Sequence, residues 1–115
     1  MRRRAAFILI ACAFSTGAFA QTQAQMTQKA IDEFNKVDAQ LKATYERALK
    51  DLDADARAKL ESAERAWIAY RDAEAEFEAN NLAGNGTMMT QIRYSVRTEL
   101  THARIEQLKE AVKKE

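Results

Sequence analysis

The chain contains no proline and only three glycines, two of which lie close together within residues 80–87. Proline and glycine interrupt helices more strongly than other residues, so long stretches on either side of this segment are free to form helices. Asn85 and Gly86 form a turn dipeptide, and Asn80 or Asn81 can end a helix in the left-handed conformation. The sequence therefore predicts an all-α fold with a Gly/Asn loop before its last helix.

The first predicted helix runs from about Thr27 to Leu49. Its apolar residues recur every three or four positions and so share one face. They are Ile31, Phe34, Val37, Leu41, Tyr45 and Leu49. Asp51 or Asp53 can cap the next helix, which favours a break here over one continuous helix.

The second predicted helix, from about Ala54 to Ala79, contains the only tryptophan, Trp67. Its proposed core-facing side follows the same three- and four-residue spacing and comprises Leu60, Ala63, Trp67, Tyr70, Ala73 and Phe77. Aromatic side chains bury large apolar areas, so this face, with Trp67 and Tyr70 inside, is expected to nucleate the core.

An acidic cluster marks the end of this second helix: Asp72, Glu74, Glu76 and Glu78. Negative charge near a helix C-terminus opposes the helix dipole. Two interpretations are open, a solvated surface or a basic group placed nearby. Carboxylates two residues apart fan around a helix axis instead of converging, so we expect no metal site here.

The third predicted helix, from about Met88 to Val112, carries two apolar stripes. One comprises Met89, Ile92, Val96, Leu100 and Ala103, and the other Tyr94, Ile105, Leu108 and Val112. A helix with two apolar sides usually contacts two neighbours. A compact bundle of three helices meets this requirement, and a homo-oligomer would meet it as well.

Residues 1–20 have the three parts of a secretory signal peptide. Arg2–Arg4 are basic, Ala5–Phe14 are apolar, and Ala18–Ala20 form an A-x-A cleavage pattern. The apolar stretch is too short to span a bilayer. The predicted organisation is a signal peptide over 1–20 and one helical domain over 21–115, periplasmic or secreted, with no transmembrane segment after cleavage.

A lipoprotein is the alternative, because Leu9–Cys12 resembles a lipobox that would make Cys12 the lipidated first residue. Cleavage after Ala20 is favoured, since few apolar residues precede Cys12 and the A-x-A pattern is better formed. That cleavage removes the only cysteine, so the stability of the domain must come from helix packing without disulfides.

Charge and composition exclude several functions. The chain has 18 Lys and Arg against 17 Asp and Glu residues, and losing the three signal-peptide arginines leaves a slightly acidic domain, unlike a nucleic-acid binder. The single histidine, His102, has no partner motif for catalysis or zinc binding. The glycines around Asn85 are too few for a phosphate-binding loop. We expect no cofactor, no metal and no enzymatic activity.

The run Ala63-x-x-Ala66-Trp67-Ile68-x-Tyr70-Arg71-Asp72-Ala73-Glu74 resembles the signature of the LprI-like lysozyme inhibitor N-terminal domain family, small exported bacterial domains. Met26, Asp38–Leu41 and Leu100-Thr101-x-x-Arg104 extend the resemblance to nearly all of residues 25–112. The family motif residues, structural or binding, are then Trp67, Tyr70, Arg71, Asp72, Thr101 and Arg104.

The chain departs from this family in its cysteines. Members typically carry them where this chain has Ala75 and about Val96, with a further one near Lys29. If Ala75 and Val96 meet, the missing bridge would close a loop of about twenty residues and contribute about 3 kcal/mol.

The resemblance implies lysozyme inhibition or a related envelope role, with lysozyme or another cell-wall hydrolase as partner. Animal-type lysozymes are basic, so an acidic face would steer them and the loop could enter their cleft. The candidate partner-binding residues are Glu74, Glu76, Glu78, Asn85 and Gly86. Arg71 and Arg104 are expected to form ion pairs between the second and third helices in preference to binding a ligand. A non-catalytic periplasmic structural or interaction domain without lysozyme activity is the alternative.

Overall fold

A computed structural model of the chain describes residues 16–83, 86 and 88–113, which form three helices. These are α1 (Thr16–Lys50), α2 (Ala54–Ala83) and α3 (Met88–Lys113). No strand occurs within the described residues. The prediction of an all-α bundle of three helices is therefore confirmed. Of the proposed signal peptide over 1–20, residues 1–15, including Cys12, lie outside this description, as do Gly84, Asn85, Thr87 and residues 114–115.

α3 packs against both other helices, as its two apolar stripes predicted. The buried core cluster combines residues from α1 and α3: Phe34, Val37, Leu41, Ile105 and Leu108. Tyr45, Leu60, Trp67 and Tyr94 pack against this cluster. Two stripe members, Ala103 and Val112, are exposed and take no part in the core.

The predicted break between the first two helices is present and is held by polar contacts. Asp53 Oδ1 accepts a hydrogen bond from the Ala56 amide at 2.8 Å, which caps the start of α2. Arg57 Nη2 donates to the Leu49 carbonyl at 3.1 Å, and the same carbonyl at the end of α1 also accepts from the Leu52 amide at 3.3 Å. The chain thus reverses direction within three residues without glycine or proline.

Two predicted helix limits were wrong. α1 begins at Thr16 instead of Thr27, because the intervening residues are rich in Ala and Gln, which favour helix. α2 continues through Asn80 and Asn81 to Ala83, since no glycine interrupts it before that point. The described part of the loop is Gly86, whose amide donates to the Ala83 carbonyl and whose carbonyl accepts from the Met89 amide, both at 3.2 Å.

The predicted core face of α2 was wrong. Leu60 and Trp67 pack against the core, but Tyr70 is 54% and Phe77 61% exposed. Ala63 and Ala73 are exposed as well. The residues that α2 buries instead are Glu64, Arg71, Ala75 and Ala79. Charged side chains occupy the interior because each finds partners on another helix.

Along the described residues, 16–83 and 88–113, no helical stretch is both long and apolar enough to cross a bilayer.

Candidate functional site

Arg71 joins all three helices from a buried position on α2. Its Nη1 donates to Asp38 Oδ1 on α1 at 3.2 Å and lies 3.5 Å from Thr101 Oγ1 on α3. Its Nε donates to Asp72 Oδ1 at 2.9 Å. Two carboxylates and a hydroxyl thus surround one guanidinium, which satisfies a buried charge that would otherwise be strongly unfavourable.

Two aromatic rings cover the same guanidinium. Its central carbon lies 5.0 Å from the Phe34 ring centre and 5.4 Å from that of Trp67. A cation over an aromatic face is attracted by the ring quadrupole, and a planar guanidinium also stacks there. Trp67 is therefore part of the interior scaffold and does not present a free binding face.

Glu64 and Arg104 form a second ion pair between α2 and α3. Glu64 Oε2 lies 3.0 Å from Arg104 Nε and 2.9 Å from Nη2, and the Glu64 side chain is 7% exposed. The Arg104 guanidinium lies 5.8 Å from the Trp67 ring centre. This is the α2–α3 ion pair expected for Arg104, whereas Arg71 forms its interhelical ion pair with Asp38 on α1 instead of with α3. Trp67 lies against both arginines.

The pKa of Tyr45 on α1 is affected by burial and by carboxylates of α2. Desolvation by burial raises the pKa of Tyr45 above its usual value, and the nearby charges of Glu61 and Glu64 raise it further. Arg65 acts in the opposite direction with a smaller effect. The neutral phenol is thus favoured in the folded protein.

The acidic cluster on α2 divides into two halves. Arg97 Nε lies 3.4 Å from Asp72 Oδ1. Arg93 donates to Glu76 through two nitrogens, Nε to Oε1 and Nη2 to Oε2, the second at 3.2 Å. The basic group indicated by the charge pattern is therefore a pair of α3 arginines. Asp72 and Glu76 are largely neutralised within the protein.

Sequence reasoning missed Arg93 and Arg97, although a signal was present. Asp72 and Glu76 stand four residues apart, and so do Arg93 and Arg97. On two antiparallel helices, residues four apart on one helix can each face one of two residues four apart on the other. The match becomes informative only once α2 and α3 are known to be neighbours.

Glu74 and Glu78 form the other half of the cluster and make no ion pair with any described residue. They lie one turn apart and are partly exposed. Their helical neighbours include the exposed aromatic residues Tyr70 and Phe77. Of the remaining predicted partner-binding residues, Gly86 is exposed after the end of α2, and Asn85 lies outside the described residues.

The described residues give no indication of a metal centre. No group of three or more potential metal ligands occurs among them. Thr101 is fully buried, and its hydroxyl donates to the Arg97 carbonyl at 2.6 Å, not to a base. His102 is exposed on α3. The geometry is that of a rigid scaffold with one acidic and aromatic surface.

A concave apolar site lies at the opposite end of the bundle, beside the α1–α2 turn. It has a volume of about 270 Å³, and its lining includes Leu52, Leu60, Leu108 and Val112. Its only charged lining groups are Asp51 and Lys59, and Lys59 is paired with Asp55 at 2.9 Å. Specific small-molecule sites usually combine such walls with converging polar groups, which this cleft lacks.

A family model described as lysozyme inhibitor LprI matches residues 15–108. The matched range contains all of α1 and α2 and most of α3, and it includes Arg71 and Arg104. No curated protein and no solved structure matches the chain.

Proposed function

The chain belongs to the lysozyme inhibitor LprI family, and from this premise we propose that it is an exported inhibitor that binds a lysozyme through Glu74, Glu78 and the adjoining loop at Asn85 and Gly86. The observation that carries the proposal is the division of the acidic cluster. Two of its carboxylates form ion pairs with α3 arginines, whereas Glu74 and Glu78 form none with any residue that the structure describes.

Free carboxylates on one surface suit a basic partner. Animal-type lysozymes are basic proteins, so opposite charge would raise the rate of association and make it sensitive to salt. Of the acidic residues expected to bind a partner, Glu76 contributes less to this attraction, because Arg93 already compensates its charge. The acidic part of the proposed binding surface therefore consists of Glu74 and Glu78.

Four of the family motif residues have a structural task in this proposal. Arg71, Trp67 and Thr101 are held in the interior and fix the helices relative to one another. Arg104 does the same through Glu64. The motif would therefore maintain the scaffold that presents the acidic surface, and the surface itself would determine which partner binds.

Export is proposed from the signal-like residues 1–20, with cleavage after Ala20 and release into the periplasm or medium. Such cleavage would shorten α1 to begin at Gln21 and leave every residue of the buried core in place. Lipidation at Cys12 is the competing proposal, and the mass of the mature protein distinguishes the two.

A non-catalytic interaction domain without lysozyme activity is the second candidate. The observation that favours it is the exposure of several large apolar side chains, among them Tyr70, Phe77 and Leu82, on a domain of this size. Exposed apolar surface often marks a protein contact, and that contact need not be a hydrolase.

The test uses full-length protein expressed in a bacterium and purified from the periplasm, with the mature mass measured first. Egg-white lysozyme then clears a suspension of bacterial cell walls with and without the protein, over a range of salt concentrations. Inhibition that weakens with salt supports the proposal, and absence of inhibition at large molar excess overturns it for animal-type lysozymes.

Charge variants locate the surface. The pair Glu74→Gln and Glu78→Gln should abolish or strongly weaken inhibition. Its matched control is Glu46→Gln with Glu99→Gln, which removes the same charge from exposed positions on α1 and α3. Equal losses in both variants would show that only net charge matters and would contradict this choice of surface.

A further inference from the structure

α2 carries an apolar stripe on its solvent side. Its members are all exposed and follow one another at spacings of three, four, three and four: Ala63, Ala66, Tyr70, Ala73 and Phe77. This regular spacing keeps them on a single face over four turns. We refer to these five residues as the outer stripe.

The outer stripe faces solvent because the opposite side of α2 is fixed inside the bundle. Glu64 and Arg71 are buried there and bound to partners on α1 and α3. Rotating α2 to bury Tyr70 and Phe77 would expose these ion pairs and separate their members. The buried charges thus hold an apolar surface in water, where it gains nothing for folding.

We infer that the outer stripe is the apolar anchor by which the protein holds a basic lysozyme, an inference that rests on the proposed function. Aromatic side chains are enriched among the residues that dominate binding energy, and Tyr70 and Phe77 are the two that α2 exposes. The three alanines leave the helix backbone open to close approach by a partner.

Charge identifies the partner's chemistry. Glu74 follows Tyr70 by four residues and precedes Phe77 by three, so it borders both aromatic residues, and Glu78 extends the acidic border by one helical turn. Neither carboxylate forms an ion pair with a described residue. The complementary surface is an apolar depression bordered by Lys or Arg side chains. A second copy of this chain would bring the same unpaired carboxylates and is the less suitable occupant.

The two parts of the surface predict different kinetics. Charged borders mainly affect association, whereas desolvated aromatic anchors mainly affect dissociation. Phe77→Ser and Tyr70→Ser should each weaken binding of egg-white lysozyme about tenfold or more through faster dissociation, with an unchanged salt dependence. Glu74→Gln with Glu78→Gln should slow association and flatten the salt dependence.

The measurement is binding kinetics of the periplasmic full-chain product on immobilised egg-white lysozyme at several salt concentrations. Val112→Ser is the matched control, because Val112 is an exposed apolar residue at the far end of α3. Phe77→Tyr should retain binding. Both serine variants replace exposed side chains, so their helical content and unfolding midpoints should equal those of the unsubstituted protein.

The outcomes separate the two ideas. Unchanged dissociation of both serine variants, with tight binding by the unsubstituted protein, overturns the outer stripe as anchor and leaves the proposed function intact. No binding by the unsubstituted protein overturns both. A dimer in sedimentation velocity that Phe77→Ser converts to monomer would assign the outer stripe to self-association and contradict the lysozyme assignment.

Discussion

Arg71 and Asp38 connect α2 to α1 through a 3.2 Å contact between Nη1 and Oδ1, across 33 positions of sequence. α1 packs chiefly on α3, so this pair is one of the few direct links between the first two helices. Because the same guanidinium reaches Thr101, a single side chain of α2 contacts both other helices.

Replacing Arg71 should therefore be strongly destabilising. Arg71→Ala leaves Asp38 without its interhelical partner and empties the space between Phe34 and Trp67, so we expect a loss of about 3 kcal/mol or more in the free energy of unfolding. Arg71→Lys should retain only part of this stability, since an ammonium group cannot reproduce the planar hydrogen-bonding geometry of a guanidinium or its stacking on the rings. Urea titration followed by circular dichroism measures both.

The control for this series is Arg65→Ala, on the same helix at an exposed position without an ion pair to described residues. Its unfolding free energy should change by no more than about 0.5 kcal/mol. Similar losses for Arg65 and Arg71 would show that the network around Arg71 does not carry the stability assigned to it.

Glu64 and Arg104 should behave as one energetic unit. Glu64→Gln or Arg104→Met alone leaves a largely buried charge without its partner, which should cost about 3 kcal/mol each. The double variant removes both charges, so its loss should fall short of the sum by about 1 kcal/mol or more. A double-mutant cycle from denaturant unfolding measures this coupling, and additive losses would contradict it.

Ala75→Cys with Val96→Cys should form a disulfide. The contacts Arg71–Thr101, Asp72–Arg97 and Glu76–Arg93 set the antiparallel register of α2 and α3, and both target positions are buried within it. The bridge closes a loop of about twenty residues and should stabilise the oxidised protein by about 3 kcal/mol. Thermal unfolding with and without reductant measures this gain, and thiols that stay free under oxidant would show that the register differs.

Stability at alkaline pH should depend on Tyr45. Its pKa is raised in the folded state by burial and by Glu61 and Glu64, so folding favours the neutral phenol. This contribution is complete below the unfolded pKa of about 10 and is lost as pH rises through the higher folded value. As pH rises above about 10, the Tyr45→Phe variant should therefore lose less stability than the unsubstituted protein, as measured by urea unfolding at several alkaline pH values. Parallel loss in both proteins would contradict this role for Tyr45.

Periodicity was sufficient to predict the bundle and the sides that α1 and α3 bury. On α1, the three- and four-residue spacing includes Phe34, Val37 and Leu41, all of which are in the core. These apolar residues form the only apolar face predicted for α1, so the sequence pattern and the structure agree.

The same reasoning failed on α2 because two solutions competed there. The apolar face of Ala63, Tyr70 and Phe77 satisfies the helical period as well as the face of Glu64 and Arg71 does. What decides between them is the presence of Asp38, Thr101 and Arg104 on other helices, which compensate the buried charges. Such partners become recognisable only once helix neighbours and register are known.

The interior of this protein also bears on how it reaches its folded state. Residues 16–113 contain no cysteine, and Ala75 and Val96 are buried between α2 and α3 without a bridge. Its helices are held together by noncovalent contacts, including the ion pairs of Arg71 and Glu64, which form without a covalent step. Folding should therefore proceed without an oxidant or a disulfide isomerase, and at the same rate in reducing and oxidising compartments.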